Sequence, residues 1–212
     1  MKKMTRITAL MALAALMGSS SVHAQDPPNF DFLGFVPTVP SQIGGTFVLY
    51  SDMTNGGVVP TPIPMNFIGE QHTVVINGTL SALVGPFSQH YSPVTVEIWT
   101  DVGPSTPTDF ANPSTFTDGT LILSGVIDGV LTRNMFPLGT GNIVGQLDWT
   151  GGTRLAELGA NTLGWAVGGV VTENSGNIPA GYVEMWDPLI DQPVVAVDDD
   201  TWGAVKELYR HR

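Results

Sequence analysis

The chain has 212 residues, 42% of them hydrophobic, no cysteine, and 19 acidic against 8 basic side chains. Between Gln25 and Val205 the only basic residues are Arg133 and Arg154, which excludes nucleic acid and anionic membrane surfaces as partners, because both are held by clustered Lys or Arg. The lack of cysteine excludes disulfides and thiol chemistry.

Residues 1–24 read as a secretory signal peptide: Lys2, Lys3 and Arg6 open it, an apolar run covers 7–17, and Val22-His23-Ala24 precedes Gln25. The expectation is a soluble bacterial protein, secreted or periplasmic, cleaved after Ala24. It is not expected to span a membrane, since no later stretch approaches the roughly 20 apolar residues a spanning helix needs. Without that segment five basic side chains face 19 acidic ones, a net charge of −14.

Residues 25–45 carry four Pro together with Phe30, Phe32 and Phe35, and read as an extended lead-in that docks its rings on the body of the protein. A first strand is expected at 46–51, followed by a Pro/Gly loop. The stretch 71–83 alternates His72, Val74, Ile76, Gly78 and Leu80 with mostly polar residues, the pattern of an antiparallel strand with one face buried. A strand at 93–101 follows, with Val94, Val96 and Ile98 on one face, and then a Pro-rich loop at 103–113.

The stretch 115–132 is strand material after an Asp118-Gly119 turn signal, 134–141 reads as a loop, and 142–150 as a strand with Ile143, Gly145, Leu147 and Trp149 inward. Residues 153–158 fit a short strand or a helical turn. Further strands are expected at 163–172, 181–187 and 193–197. In 198–212, Trp202, Val205, Leu208 and Tyr209 share one helical stripe behind Asp198, Asp199 and Asp200, as in a short capped helix.

An apolar-x-Gly-x-apolar pattern recurs around Gly78, Gly125, Gly145 and Gly169, each Gly on the face of the large apolar residues. A strand tolerates such a Gly when a bend or a bulky side chain from a facing layer uses the space. The expected fold is therefore all-β: one antiparallel domain over 46–197, a β-sandwich or jelly roll or a curved barrel, with a short C-terminal helix.

Only His72, His90 and His211 follow residue 24, too few for a multi-histidine metal centre, so no metal or other cofactor is expected. His72 stands two residues after Glu70, and the two form a pair on one face if the strand begins there. The sequence contains no nucleophile elbow, phosphate-binding loop or dinucleotide fingerprint.

The most informative constellation is a repeat, Val96-Glu97-Ile98-Trp99 and Val183-Glu184-Met185-Trp186, each followed by an acid, Asp101 and Asp187. If the Val/Ile and Val/Met rows form the core, Glu97 with Trp99, and Tyr182 and Glu184 with Trp186, lie on the other face of the sheet. Flat rings beside carboxylates suit a sugar, whose apolar face stacks while its hydroxyls donate to the acids. The expected activity is non-enzymatic binding, or a structural role, with an extracellular polysaccharide as the partner. Trp99, Trp186, Tyr182, Asp101 and Asp187 are the binding residues, and self-association through an edge strand is open. The competing structural reading has the Trp rings covered by the N-terminal Phe segment or the C-terminal helix. Two alternatives stand beside these: a glycoside hydrolase with Glu97 and Glu184 as its carboxylate pair, and a barrel holding a small apolar ligand in space left by the inward glycines.

Overall fold

The computed structural model describes residues 28–53, 60–103, 107–173 and 175–193. Its strands are β1 (Asn29–Asp31), β2 (Leu33–Val36), β3 (Thr46–Asp52), β4 (Glu70–Val84), β5 (Ser88–Val102), β6 (Thr120–Ile127), β7 (Leu131–Phe136), β8 (Thr140–Gly151), β9 (Trp165–Glu173) and β10 (Glu184–Asp191). Short 3-10 turns occupy Pro113–Phe116 and Leu155–Leu158. The proposed signal peptide, the C-terminal helix at 198–212 and all but the first residue of the strand expected at 193–197 lie outside the described residues.

All strand pairings are antiparallel, and β10 pairs with β9 on one side and with β1 and β2 on the other. β1 and β2 are one strand interrupted at Phe32. β6 and β7 are one strand interrupted at 128–130, both segments lying between β5 and β8. Counted so, eight strands form a closed up-and-down barrel. This corrects the sandwich or jelly roll: closure leaves no second sheet, and it removes the free edges that an open sheet exposes.

Closure depends on the segment read as a lead-in. Its prolines flank the Asn29–Val36 stretch without interrupting it, so its backbone is free to pair with β10. The loop expected at 134–141 is a tight hairpin instead, with β7 running to Phe136 and β8 starting at Thr140. The strand expected at 181–187 lies later, at Glu184–Asp191. Residues 153–158 resolve into a helical turn.

Inward alternation fills the barrel. Phe30, Trp149 and Trp165 pack together near one end, with ring centroids 5.7–6.0 Å apart. Phe47 packs between Tyr91 (4.6 Å) and Trp186 (5.2 Å) toward the other end. Two of the repeated glycines make room for these side chains: a Cβ on Gly78 would stand 2.3 Å from Phe47 Cε1, and one on Gly125 3.1 Å from Trp149 Cε3, whereas one on Gly169 would meet the backbone of Asp187 and Pro188.

Gln71, Asn77, Glu97, Asp101, Asp148 and Asp187 lie on the outward rows, opposite the buried apolar ones. The same outward rows also carry the exposed apolar residues Val126, Val144, Val170 and Leu189. No helix among the described residues is long and apolar enough to cross a membrane. Outside the wall, residues 107–119 form a strap whose Phe110 and Phe116 cover Phe35, Tyr50 and Tyr182, at centroid distances of 4.9–5.4 Å for the four closest pairs.

Candidate functional site

The two Glu-x-Trp strands present opposite faces. On β5, Val94, Val96 and Ile98 point into the barrel, while Glu97, Trp99 and Asp101 line the outer wall, partly exposed. The Trp99 indole N–H donates to Glu97 Oε2 at 3.2 Å. On β10 the inward row is Glu184, Trp186, Pro188 and Ile190, with Glu184 1% and Trp186 0% exposed. Asp187 is exposed on the outside, and Tyr182 lies under the strap, donating its hydroxyl to the Phe110 carbonyl at 2.9 Å. The expected common platform is corrected accordingly: the barrel wall separates Trp99 from Trp186, and Glu97 from Glu184. No glycoside can contact both carboxylates as hydrolysis requires.

Glu184 instead is the counter-ion of Arg133, on β7. Arg133 Nε donates to Glu184 Oε2 at 3.1 Å, its Nη2 donates to Glu184 Oε1 and, at 3.3 Å, to Glu173 Oε1, and its Nη1 donates to Gln89 Oε1 at 2.8 Å. The Trp186 indole N–H adds a bond to Glu184 Oε2 at 2.8 Å, and the Tyr91 hydroxyl donates to Gln89 at 2.7 Å. Burial pushes Tyr91 up, and burial together with the nearby Glu184 carboxylate raises Glu173. No buried side-chain nitrogen or oxygen of the network is without a hydrogen-bond partner, which is the condition under which a buried ion pair is tolerated. The sequence holds one signal of it, the isolated Arg133 in an acidic chain.

A cleft of about 530 Å³ opens at the barrel end where β4 and β6 begin and β5 finishes. Its polar lining is Asn66, Glu70, Thr100, Thr120, Thr153 and Arg154, set around an apolar patch that includes Met65 and Ile122. Arg154 is clamped by Glu157, through Nε to Oε1 at 2.8 Å and Nη2 to Oε2 at 2.6 Å, and by the Pro64 carbonyl at 2.7 Å. The bond from Arg154 holds Glu157 below its ordinary value. Asn66 Oδ1 accepts from the backbone N–H groups of Ile68 and Gly69, which fixes the loop into β4.

Behind this lining His72 is 1% exposed, with Nδ1 2.8 Å from Thr100 Oγ1. Its Nε2 has no hydrogen-bond partner and stands 3.6 Å from Glu70 Oε2. Burial lowers the His72 pKa, against the opposing pull of the Glu70 carboxylate, so the ring is neutral near pH 7. The Glu70–His72 pair was visible in the sequence. Asn66, Thr153 and Arg154 come from loops with no periodicity, and only the fold brings them beside it.

Comparison with family models, with curated proteins and with solved structures returned no match.

Proposed function

We propose that the chain is an exported, non-enzymatic binding protein whose ligand is a neutral carbohydrate held in the cleft at the β4–β5–β6 end of the barrel. The observation that carries this reading is the lining: hydroxyls, an amide, a carboxylate and a clamped guanidinium ring an apolar patch in a concavity of about 530 Å³. Hydroxyl-rich ligands with one apolar face are bound by that combination. Because Arg154 is neutralised by Glu157, the lining offers no free cation to an anionic ligand. Export rests on the N-terminal sequence of residues 1–24.

A second reading keeps the ligand class and puts it on the outer wall of β5, with Trp99 stacking on the sugar and Glu97 and Asp101 accepting its hydroxyls. The hydrogen bond that holds the Trp99 ring to Glu97 favours it. Among the described residues no aromatic ring stacks with Trp99 on the convex wall, whereas the cleft surrounds its ligand, and the cleft is preferred on that ground.

Calorimetric titration of the purified chain with soluble neutral glycans separates the readings. Thr153→Ala and Asn66→Ala are expected to weaken binding about tenfold each, while Trp99→Ala leaves it unchanged. Loss of affinity in Trp99→Ala alone moves the site to the outer wall. Absence of binding by every glycan ends the carbohydrate reading.

A further inference from the structure

The end of the barrel opposite the cleft is built differently. There the β4–β5 hairpin turns through 85–87 and the β7–β8 hairpin through 137–139, and β5 pairs with β7 so that the tips are neighbours. The Met135 N–H bonds the Phe87 carbonyl at 2.7 Å, which ties one tip to the other. The side chains at these tips are Leu83 (51% exposed), Val84 (48%), Phe87 (53%), Phe136 (52%) and Leu138 (99%). No charged residue occurs within 81–88 or 134–140. Exposed apolar side chains gathered at two neighbouring tips, on a chain otherwise rich in carboxylates, mark a contact site, with Glu173, whose N–H bonds the Gly139 carbonyl at 2.8 Å, as the carboxylate beside them.

Leu138 adds an independent observation. It follows Pro137 in a turn closed by the Gly139 N–H and the Phe136 carbonyl at 3.3 Å, and its φ is +92°. That turn position ordinarily takes Gly, because a side chain is strained there. A leucine is thus held in a costly backbone conformation and almost wholly in water, with no intramolecular contact to offset the strain. Strain of this sort accumulates where function maintains it. Pro86 and Pro137 restrict the two turns, so the tips are presented in a defined shape.

We propose that the paired tips insert into the interfacial layer of a zwitterionic lipid bilayer, docking the barrel on a membrane with its cleft facing away. Charge selects this occupant: uncharged tips on an acidic body suit a surface without net charge and are repelled by anionic lipid. Area selects it over a second copy of the chain. Five side chains, most of them half-exposed, offer roughly 500 Å², short of the roughly 800 Å² per partner of a standard protein interface. Insertion of protruding side chains into lipid sets no such threshold, since binding there scales with the apolar area buried. This docking is peripheral and does not depend on the carbohydrate reading, which concerns the other end of the molecule.

Flotation of the purified chain with phosphatidylcholine vesicles tests the proposal. The wild type is expected to float with these vesicles, and to float less when phosphatidylglycerol is mixed in. Leu138→Gly relieves the positive φ, so its thermal midpoint should hold or rise while the vesicle-bound fraction falls about tenfold. Phe87→Ser with Phe136→Ser should lower binding at least as far, with the circular dichroism of the fold retained. A wild type that leaves phosphatidylcholine vesicles unbound overturns the proposal, as does binding that survives both variants. Sedimentation velocity showing a dimer that Leu138→Gly dissociates overturns it in favour of self-association.

Discussion

Two glutamates separated by the thickness of a barrel wall show how strongly context decides the role of a residue. Glu97 lies on the outside with Trp99, whereas Glu184 neutralises Arg133 among buried aromatics. Replacing Glu184 by Gln is expected to cost about 3–5 kcal/mol of unfolding free energy in urea denaturation, because it leaves the guanidinium buried beside a weakened partner set. Glu97→Gln should stay within about 0.5 kcal/mol of wild type. Equal effects of the two substitutions would contradict the assignment of faces. Within 181–187 alone the two rows of β10 are equally apolar, so that stretch does not say which one is inward. Pro188 and Ile190 continue the parity of Trp186, and their burial identifies that row as the inner one. Even so, a Glu on the inner row is intelligible only once its partner, 51 residues away, is known.

At the scale of the strand, alternation carried the correct faces of β4, β5 and β8, since each has a long apolar row opposed by polar residues. The strand glycines divide by what faces them, inward Gly78 on β4 against outward Gly168 on β9. At Gly78 an added methyl group meets Phe47, which is wedged between Tyr91 and Trp186 and has nowhere to move. Gly78→Ala should therefore destabilise by about 1–3 kcal/mol. A Cβ at Gly168 meets nothing within 4 Å, and its φ is not in the left-handed region. Gly168→Ala should be neutral or stabilising by about 0.4–1 kcal/mol, through the unfolded chain. Thermal and urea unfolding of the two variants side by side measure the contrast. β1 and β2 escaped notice for a related reason: three- and four-residue segments bounded by prolines carry too little alternation to be read, and only the exposed edges of β3 and β10 require a strand there.

The whole molecule links its two ends through pH. His72, at the cleft end, has its pKa lowered by burial from an ordinary 6.5, so the unfolded chain binds its proton more readily. Its contribution to stability is present above that ordinary value and is lost as the pH falls below it. Glu173, toward the other end, has its pKa raised from an ordinary 4.5, first by burial and then by Glu184. Its contribution has the opposite sign, present below the ordinary carboxylate value and lost as the pH rises through the raised one. Between about pH 7.5 and pH 4.5, His72→Gln should flatten the acid-side loss of stability below the ordinary imidazole value, and Glu173→Gln should remove the loss that sets in as the pH rises from the ordinary carboxylate value. Urea unfolding of each variant across that range reads both effects. A His72→Gln profile parallel to that of the wild type would mean that the ring is not held neutral by burial.

The sequence by itself determined the class of the protein: all-β, antiparallel, disulfide-free and strongly acidic, with the inward rows of its longest strands legible, because period-two alternation is a local property of each strand. Only the tertiary structure decided that the sheet closes into a barrel, that Glu184 and Trp186 face inward, and that Asn66, Glu70, Arg154 and His72 meet at one end. Those outcomes depend on pairings between residues far apart in the chain, β10 with β1 and β2 above all. No local pattern encodes them, since a strand's alternation specifies two faces and not which one the rest of the molecule will cover.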